Sequence, residues 1–303
     1  MHEEREVREH RLDSWESFKT KIADIDRETD ALKLTRSVSV SEPLYRGQRD
    51  ASWGLQTTLD RQRPGMTLGK YLTLIERMQP RIERISGRKW PTLSQEISGL
   101  RRNGLHTIPW FTAEPANTET IRFFMVYLRQ HGFPSPLLDW TSAPYKAAFF
   151  AYAGVDEGTE RVAIFTFREC TGTARETWGS EPTAKNWGPD IPNTSSRHSK
   201  QNAQYTWCLK KPTSGLTLED YVFADHEQAI NLPGFRMEGG VDVSKSRAAN
   251  VVEKYTIPAS ERRKVLASLA GENINRCGLG LSRRSVDSLL EDLWNELIID
   301  SAV

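Results

Sequence analysis

The chain has 303 residues, and its 41 Lys and Arg residues nearly balance its 40 Asp and Glu residues, giving a net charge of +1 at pH 7. A content of 38% hydrophobic and 27% charged residues is typical of soluble globular domains. No segment approaches the about 20 apolar residues of a membrane helix, no signal peptide follows Met1, and the Cys and His residues lack metal-ligand spacing. We therefore expect a cytoplasmic protein with no metal and no membrane contact.

Helical and strand-like patterns organise the first part of the chain. Residues 13–33 predict an amphipathic helix or a pair of helices, because their apolar side chains repeat at helical spacing. Those side chains are Trp15, Phe18, Ile22 and Ile25. Residues 38–46 alternate in polarity and predict a strand that leads into a turn at Gly47. After a Pro-Gly break at 64–65 a second apolar stripe predicts another helix, which Pro80 is expected to kink or split.

The later elements follow from the same patterns. Helices are predicted at 121–130, from Pro144 onward, at 259–270 and at 287–299. Strands are predicted at 161–167, 204–209 and 251–257. Residues 171–196 are rich in Gly, Pro, Ser, Thr and Asn and predict a long loop.

The order of these elements predicts the fold class. Strands and helices do not alternate in βαβ order, so we predict an α+β fold. A helical segment at 1–40 precedes one domain at 41–303, and that domain contains a helical insertion at about 66–135.

Positive charge is concentrated in one stretch. Residues 61–102 contain ten Lys and Arg residues but only three acidic residues, an excess of seven positive charges. Four of the arginines share one helix face if Pro80 allows it: Arg77, Arg81, Arg84 and Arg88. A basic helix face is usually only solvated. Here it could instead bind nucleic acid, with Trp90 or Trp110 stacking on a base, or an acidic partner protein such as an antitoxin.

Three separated segments carry a resemblance to a known family. The first consists of 44–48 (LYRGQ) and 53–56 (WGLQ). The second consists of 131–134 (HGFP), 137–141 (LLDWT) and 144–151 (PYKAAFFA). The third consists of Arg197, His198, Gln201, Tyr205 and Thr206. Together with 255–258, these segments resemble the FRG domain family over about residues 12–300.

The order of the motifs is similar to that of the ADP-ribosyltransferase fold, which implies a split β-sheet core around an NAD cleft. In that fold a strand-borne arginine or histidine comes first, and a Ser/Thr-aromatic segment that opens a helix comes second. A Glu or Gln on a later strand comes third. Arg46, the 141–145 segment and Gln201 would fill these places.

The side chains of the motifs suit NAD, which would be a substrate. The planar guanidinium of Arg46 could grip a diphosphate with paired hydrogen bonds, and Gly47 would let a ligand approach the backbone. Trp140, Tyr145 and Phe149 are candidates for an aromatic wall against nicotinamide. The resemblance implies further NAD contacts at Tyr45, Gln48, Thr141, Ser142, Arg197 and Tyr205.

The catalytic step needs a general base, which Gln201 cannot provide. Gln201 could hydrogen-bond the ribose 2′-hydroxyl, but an amide cannot act as a general base. His198, Glu227 and Glu238 are the candidates for that base.

Structural roles are the alternative for each motif. Arg46 could form a salt bridge at a strand end. Asp139 could cap the following helix while Trp140 is buried, and Thr141 or Ser142 could serve as the N-cap. Arg197 and Gln201 would then be polar residues near the start of a strand.

The resemblance implies an NAD-dependent ADP-ribosyltransferase that modifies a macromolecule, with RNA favoured over protein. It further implies a bacterial toxin or anti-phage defence effector held inactive by a partner. Two alternatives remain open, namely an NAD glycohydrolase and a non-catalytic FRG module that binds a nucleotide.

Overall fold

A computed structural model describes most of the chain. The described residues are 7–34, 39–103, 119–168, 170–171, 182–187, 196–210, 217–223, 225–227 and 251–281. Strands and helices mix along these residues without βαβ alternation, which confirms the predicted α+β class. No helix within them is long and apolar enough to cross a membrane.

Strands occur at both ends of the described chain and in its middle. They are β1 (Arg8–Arg11), β2 (Ser39–Val40), β3 (Leu44–Gln48), β4 (Leu138–Thr141), β5 (Arg161–Arg168), β6 (Cys170–Thr171), β7 (Pro182–Trp187), β8 (Ala203–Lys210), β9 (Val222–Phe223) and β10 (Val251–Pro258). Eight of these described strands form one sheet of order β1-β10-β5-β3-β4-β8-β7, in which β9 also pairs with β8. Strands β2 and β6 form a separate two-stranded ladder. In the large sheet β1 runs parallel to β10, and the other pairs are antiparallel.

The helices are of very different lengths. They are α1 (Trp15–Lys33), α2 (Thr58–Gln62), α3 (Leu68–Ser86), α4 (Leu93–Asn103), α5 (Glu119–Gln130), α6 (Pro144–Tyr152), α7 (Ser196–Gln201) and α8 (Arg262–Gly271). Short 3-10 turns lie at Leu218–Asp220 and Ala259–Glu261.

The two long helices begin at side-chain caps. The hydroxyl of Ser14 accepts from the backbone N–H of Ser17 at the start of α1, and that of Thr67 accepts from Lys70 at the start of α3. Helix α3 continues past Pro80, so of the two expected outcomes, a kink or a split, the split does not occur. The proline is exposed, while the buried side of the same helix packs into the core, and that packing compensates for the missing hydrogen bond.

Side-chain alternation divides the large sheet into two faces. One face carries Leu44, Leu138, Trp140, Phe165, Phe167, Cys208 and Val252. Two helical layers share the other face. Helices α1, α6 and α8 cover β10, β5 and β3, and a helical lobe of α3, α4 and α5 packs against β8.

The sheet is nearly divided in its middle. Strand β3 pairs with β5 along its whole length, and β4 pairs likewise with β8. Between β3 and β4 the register contains one pair, Tyr45 and Thr141. The division coincides with the boundary between the two helical layers, so a gap opens there on the helix-covered face.

Several sequence predictions change at this level. The segment 171–196, predicted as a loop, contains β7 and the start of α7. The predicted N-terminal helix is confirmed, but β1 precedes it and pairs with β10, so the N-terminal segment joins the main sheet. The helix predicted at 287–299 lies outside the described residues.

Candidate functional site

A cleft of about 370 Å³ lies where the sheet divides. Strands β3, β4 and β8 form its floor, helices α5, α6 and α7 form its walls, and the segment after α8 reaches its rim. The lining residues are Tyr45, Arg46, Gly47, Arg129, Gln130, Gly132, Asp139, Trp140, Thr141, Ala147, Phe150, Arg197, Gln201, Ala203, Tyr205 and Leu281. Side chains from all three motifs therefore meet in one cleft.

Arg46 lies at the division of the sheet. Its Nη1 donates to the backbone oxygen of Asp139 at 2.8 Å and lies 3.8 Å from the Asp139 carboxylate. Only 16% of its side chain is exposed, and its buried Nε has no hydrogen-bond partner in the described part of the chain. Burial lowers the pKa of Arg46 to about 10, so the guanidinium remains charged at neutral pH.

Asp139 is held mainly by another arginine, Arg129 of α5. The Nε of Arg129 donates to both carboxylate oxygens at 3.0 Å, its Nη2 also donates to the carboxylate, and its Nη1 donates to Thr58. Burial acts to raise the pKa of Asp139, but attraction and hydrogen bonds from Arg129 outweigh it, and the pKa is lowered. The carboxylate is therefore ionised at neutral pH.

This contact corrects the expected role of Asp139. Helix α6 begins after Ala143 and has no side-chain cap, so Asp139 does not cap it. The carboxylate faces Arg129 because β4 returns alongside the end of α5. Sequence reasoning missed Arg129, since nothing in the sequence of α5 distinguishes it from a solvated arginine.

Arg197 and Gln201 belong to helix α7 and not to the following strand. Asn202, at a φ of +48°, separates this helix from β8, so the expected strand placement of Gln201 was wrong. Arg197 donates to the backbone oxygens of Gln130 and Gly280, at 2.7 and 3.2 Å. The amide of Gln201 donates to the backbone oxygen of Leu279 at 3.1 Å. Both side chains are therefore fixed at the rim of the cleft.

Four aromatic residues line the cleft: Tyr45, Trp140, Phe150 and Tyr205. The indole of Trp140 donates to Thr206 at 2.8 Å and lies among core residues, as the structural alternative predicted. Tyr145 packs near Trp15, and Phe149 is buried in the core beside α1. Neither Tyr145 nor Phe149 lines the cleft, because α6 turns Ala147 and Phe150 toward it.

Two of the three candidate bases are described, and both lie away from the cleft surface. His198 is buried behind Tyr205, with its Nδ1 3.3 Å from the tyrosine hydroxyl and the two rings stacked. The same hydroxyl accepts from the amide of Gln130 at 3.1 Å. Glu227 accepts from the backbone N–H of Leu55 at 2.7 Å. Neither His198 nor Glu227 lines the cleft, and Glu238 lies outside the described residues.

Gly47 is required by packing. A Cβ atom at this position would lie 1.9 Å from the backbone oxygen of Ala147 and 2.7 Å from the backbone nitrogen of Ala151. The glycine therefore lets α6 lie directly on β3. From the sequence it was instead expected to let a ligand approach the backbone. The small residues Ala147 and Ala151 of α6 meet the sheet at this point.

The remaining predicted contacts divide into two groups. Thr141 lines the cleft, donates to the backbone oxygen of Gln201 at 2.7 Å and accepts from the N–H of Ala143. Gln48 donates to the backbone oxygen of Gly54 and is buried, and Ser142 is exposed. Neither residue lines the cleft. Thr141 thus ties the second motif to the third.

The cleft carries positive charge. Arg46, Arg129 and Arg197 line it, and Asp139 is the single carboxylate among the described lining residues. Two positive charges are therefore in excess among the described lining residues. Such a surface favours an anionic group with several acceptor oxygens.

Comparison with known proteins gives a family match for part of the chain that forms this site. The structure is an α+β domain with a nearly divided sheet and a basic cleft at the division. Residues 41–160 match the model of the FRG domain. The match contains the first two motifs and the helical lobe, and the third motif lies beyond it. No curated protein and no solved structure matches the chain significantly.

Proposed function

We propose that the cleft binds NAD and that the protein transfers ADP-ribose from it to a macromolecule, with RNA favoured over protein. One observation supports this most strongly. Arg46, Thr141 and Gln201, from three segments far apart in sequence, line one cleft with two excess positive charges. The sheet division beside Arg46 also suits the split sheet of the ADP-ribosyltransferase fold.

The diphosphate of NAD would lie against the arginines. Asp139 already has Arg129 as its paired partner, so Arg46 keeps a donor for a ligand, and its buried Nε is without a partner in the described chain. Phe150 and Tyr205 offer aromatic surface for a nicotinamide or adenine ring. The cleft volume is within the range of about 300–1,000 Å³ common for small-molecule sites.

In the proposed reaction the bond between nicotinamide and ribose breaks, and its electron pair leaves with nicotinamide. The acceptor bonds to the same ribose carbon and loses a proton, through an oxocarbenium-like state. The Leu279 carbonyl holds the amide nitrogen of Gln201, which leaves the amide oxygen to accept from a ribose hydroxyl. The Tyr205 hydroxyl, next to His198, would connect that predicted base to the cleft.

A second candidate is a non-catalytic module that binds a nucleotide. A transferase would need a carboxylate or another base at the site. Asp139 is the single carboxylate among the described lining residues, and it is already paired with Arg129, which favours this second candidate. NAD hydrolysis is a variant of the enzymatic proposal in which water is the acceptor. The enzymatic proposal also carries a biological role, a toxin or anti-phage effector restrained by an antitoxin partner.

Incubation with NAD separates these functions. NAD labelled in its adenylate half would be mixed with the protein and total RNA, and free nicotinamide and labelled RNA would be measured. Release of nicotinamide with labelled RNA is the expected result. Release without any labelled macromolecule would indicate hydrolysis. Binding of NAD without release would indicate a non-catalytic module and contradict the enzymatic proposal.

A further inference from the structure

Helix α3 carries a continuous basic stripe. At 100° per residue, four side chains fall within an arc of about 60° and extend about 21 Å along the helix. They are Lys70, Arg77, Arg81 and Arg84, and all four are exposed. We call these four residues the α3 stripe.

Three carboxylates of the described helical lobe make contacts within the lobe and not with Lys70, Arg77 or Arg84. Glu76 pairs with Arg101 of α4 at 3.0 Å. Glu83 accepts from Lys89 and from the backbone N–H of Trp90. Glu96, in α4, accepts from the first backbone N–H groups of α5. These carboxylates serve contacts within the lobe, which leaves the solvent side of α3 basic.

The stripe differs from the predicted arginine face at both ends. Arg88 lies beyond Gly87, where α3 has ended, and its guanidinium is 5.5 Å from the centre of the Tyr127 ring. Lys70, about two helical turns before Arg77, extends the stripe in the opposite direction. Within the described part of the chain Lys70, Arg77 and Arg84 form no ion pair.

We propose that the α3 stripe binds the phosphodiester backbone of a nucleic acid, and so docks the acceptor of the proposed transfer reaction. A phosphate backbone needs positive charges at intervals along a line, which the stripe provides. A protein partner would need an apolar or aromatic centre. The described large hydrophobic side chains that are exposed are Leu34, Trp53 and Ile85, and of these only Ile85 belongs to α3.

The test uses a charge reversal with a matched control. The stripe variant is Lys70→Glu, Arg77→Glu and Arg84→Glu. The control variant is Arg27→Glu, Arg263→Glu and Arg276→Glu, which changes the net charge equally at exposed positions outside the lobe. A third variant, Arg77→Lys with Arg84→Lys, keeps the charge of the stripe. Circular dichroism melting confirms that each variant folds.

Binding of a labelled 20-nucleotide single-stranded RNA is measured over a range of salt concentrations without NAD. We expect the stripe variant to lose at least tenfold in affinity at low salt. The slope of log K against log salt should fall in magnitude by about 2, because three contacts are lost at about 0.7 each. The control and lysine variants should bind like the parent.

Three results would overturn the proposal. One is parental affinity and salt slope in the stripe variant, and another is an equal loss in the control variant. The third is tighter binding of poly-glutamate than of RNA with equal charge, which would assign the stripe to an acidic protein. Nicotinamide release, measured without RNA, should be parental in the stripe variant. The docking proposal and the enzymatic proposal can therefore fail separately.

Discussion

At the scale of single residues, Arg46 and Arg129 share Asp139 unequally. Arg129 holds both carboxylate oxygens, whereas Arg46 donates to the backbone oxygen and lies 3.8 Å from the carboxylate. Removal of Arg46 therefore leaves the carboxylate paired, and removal of Arg129 does not. The two arginines can be separated by experiment.

Arg46→Ala is expected to keep a near-parental melting temperature and to lose NAD binding. Loss of charge-assisted hydrogen bonds of about 1.5–3 kcal/mol corresponds to about 10- to 100-fold weaker affinity. Arg46→Lys should restore little, because lysine lacks the planar fork. Calorimetric titration with NAD and thermal unfolding measure the two effects.

Arg129→Ala is the control for Arg46→Ala. It should destabilise the protein by about 2–3 kcal/mol, less than a fully buried pair costs, because the side chain of Asp139 is 39% exposed. If Arg46→Ala is instead the more destabilised of the two, Arg46 is structural and the cleft has been assigned wrongly.

Gln201→Ala is expected to bind NAD almost normally and to lose transfer. Truncation removes a ribose contact at the rim and leaves the arginines in place. Nicotinamide release and NAD affinity, measured on the same preparation, check the separation. Full activity in this variant would move the reaction centre toward Glu227 or Glu238.

The Arg129–Asp139 pair makes stability depend on pH. The pKa of Asp139 is lowered in the folded protein, so its contribution is fully present above its unfolded pKa of about 3.9 and is lost as the pH falls through the folded value. Asp139→Asn should therefore cost stability at pH 7, and the difference from the parent should narrow below about pH 4. Urea unfolding of the parent and of Asp139→Asn between about pH 3 and pH 7 measures the difference in the free energy of unfolding. A constant difference at all pH values would contradict the linkage.

At the scale of elements, the contact between β3 and α6 sets the geometry of the cleft. A Cβ on Gly47 would overlap the backbone of α6, and backbone atoms cannot move aside as a flexible side chain can. The helix that carries Ala147 and Phe150 would have to shift.

Gly47→Ala is expected to lower stability by about 2–4 kcal/mol, as overpacking against a rigid neighbour does. Gly99→Ala is the matched control, since Gly99 lies within α4 and an added Cβ would meet nothing within 4 Å. That change should be neutral or stabilise by up to about 1 kcal/mol. Thermal melts of both variants check the contrast, and equal melting temperatures would contradict it.

At the scale of the whole molecule, the cleft joins the two helical layers. Arg129 links the lobe to β4, and Arg197 links α7 both to the lobe and to the segment after α8. A ligand in the cleft would contact both layers and stabilise the folded state.

NAD at 100 times its Kd should stabilise the parent by about 2.7 kcal/mol. The melting temperature should therefore rise with NAD concentration. Arg46→Ala should show a smaller rise at the same concentrations, because an affinity weaker by about 10- to 100-fold leaves about 0.4–1.4 kcal/mol of stabilisation. Differential scanning fluorimetry measures both proteins. An equal rise in the two would mean that NAD binds elsewhere.

The sequence by itself determined the elements whose signals are local. Helical spacing predicted α1 and α5, and β-branched and aromatic runs predicted β5 and β10, because periodicity is retained wherever one face is buried. The motifs likewise predicted that Arg46, Thr141 and Gln201 belong together. The family match at 41–160 agrees with the first two of these motifs.

Only the tertiary structure decided which side chains face the cleft. The pairing of Arg129 with Asp139 depends on the turn that brings β4 back beside α5. The choice of Phe150 over Phe149 depends on the rotation of α6, which its contact with Gly47 fixes. Such contacts join residues that are far apart in the sequence, and the local sequence around each residue does not predict its partner. The contacts are stabilised only when separate helices and strands pack together.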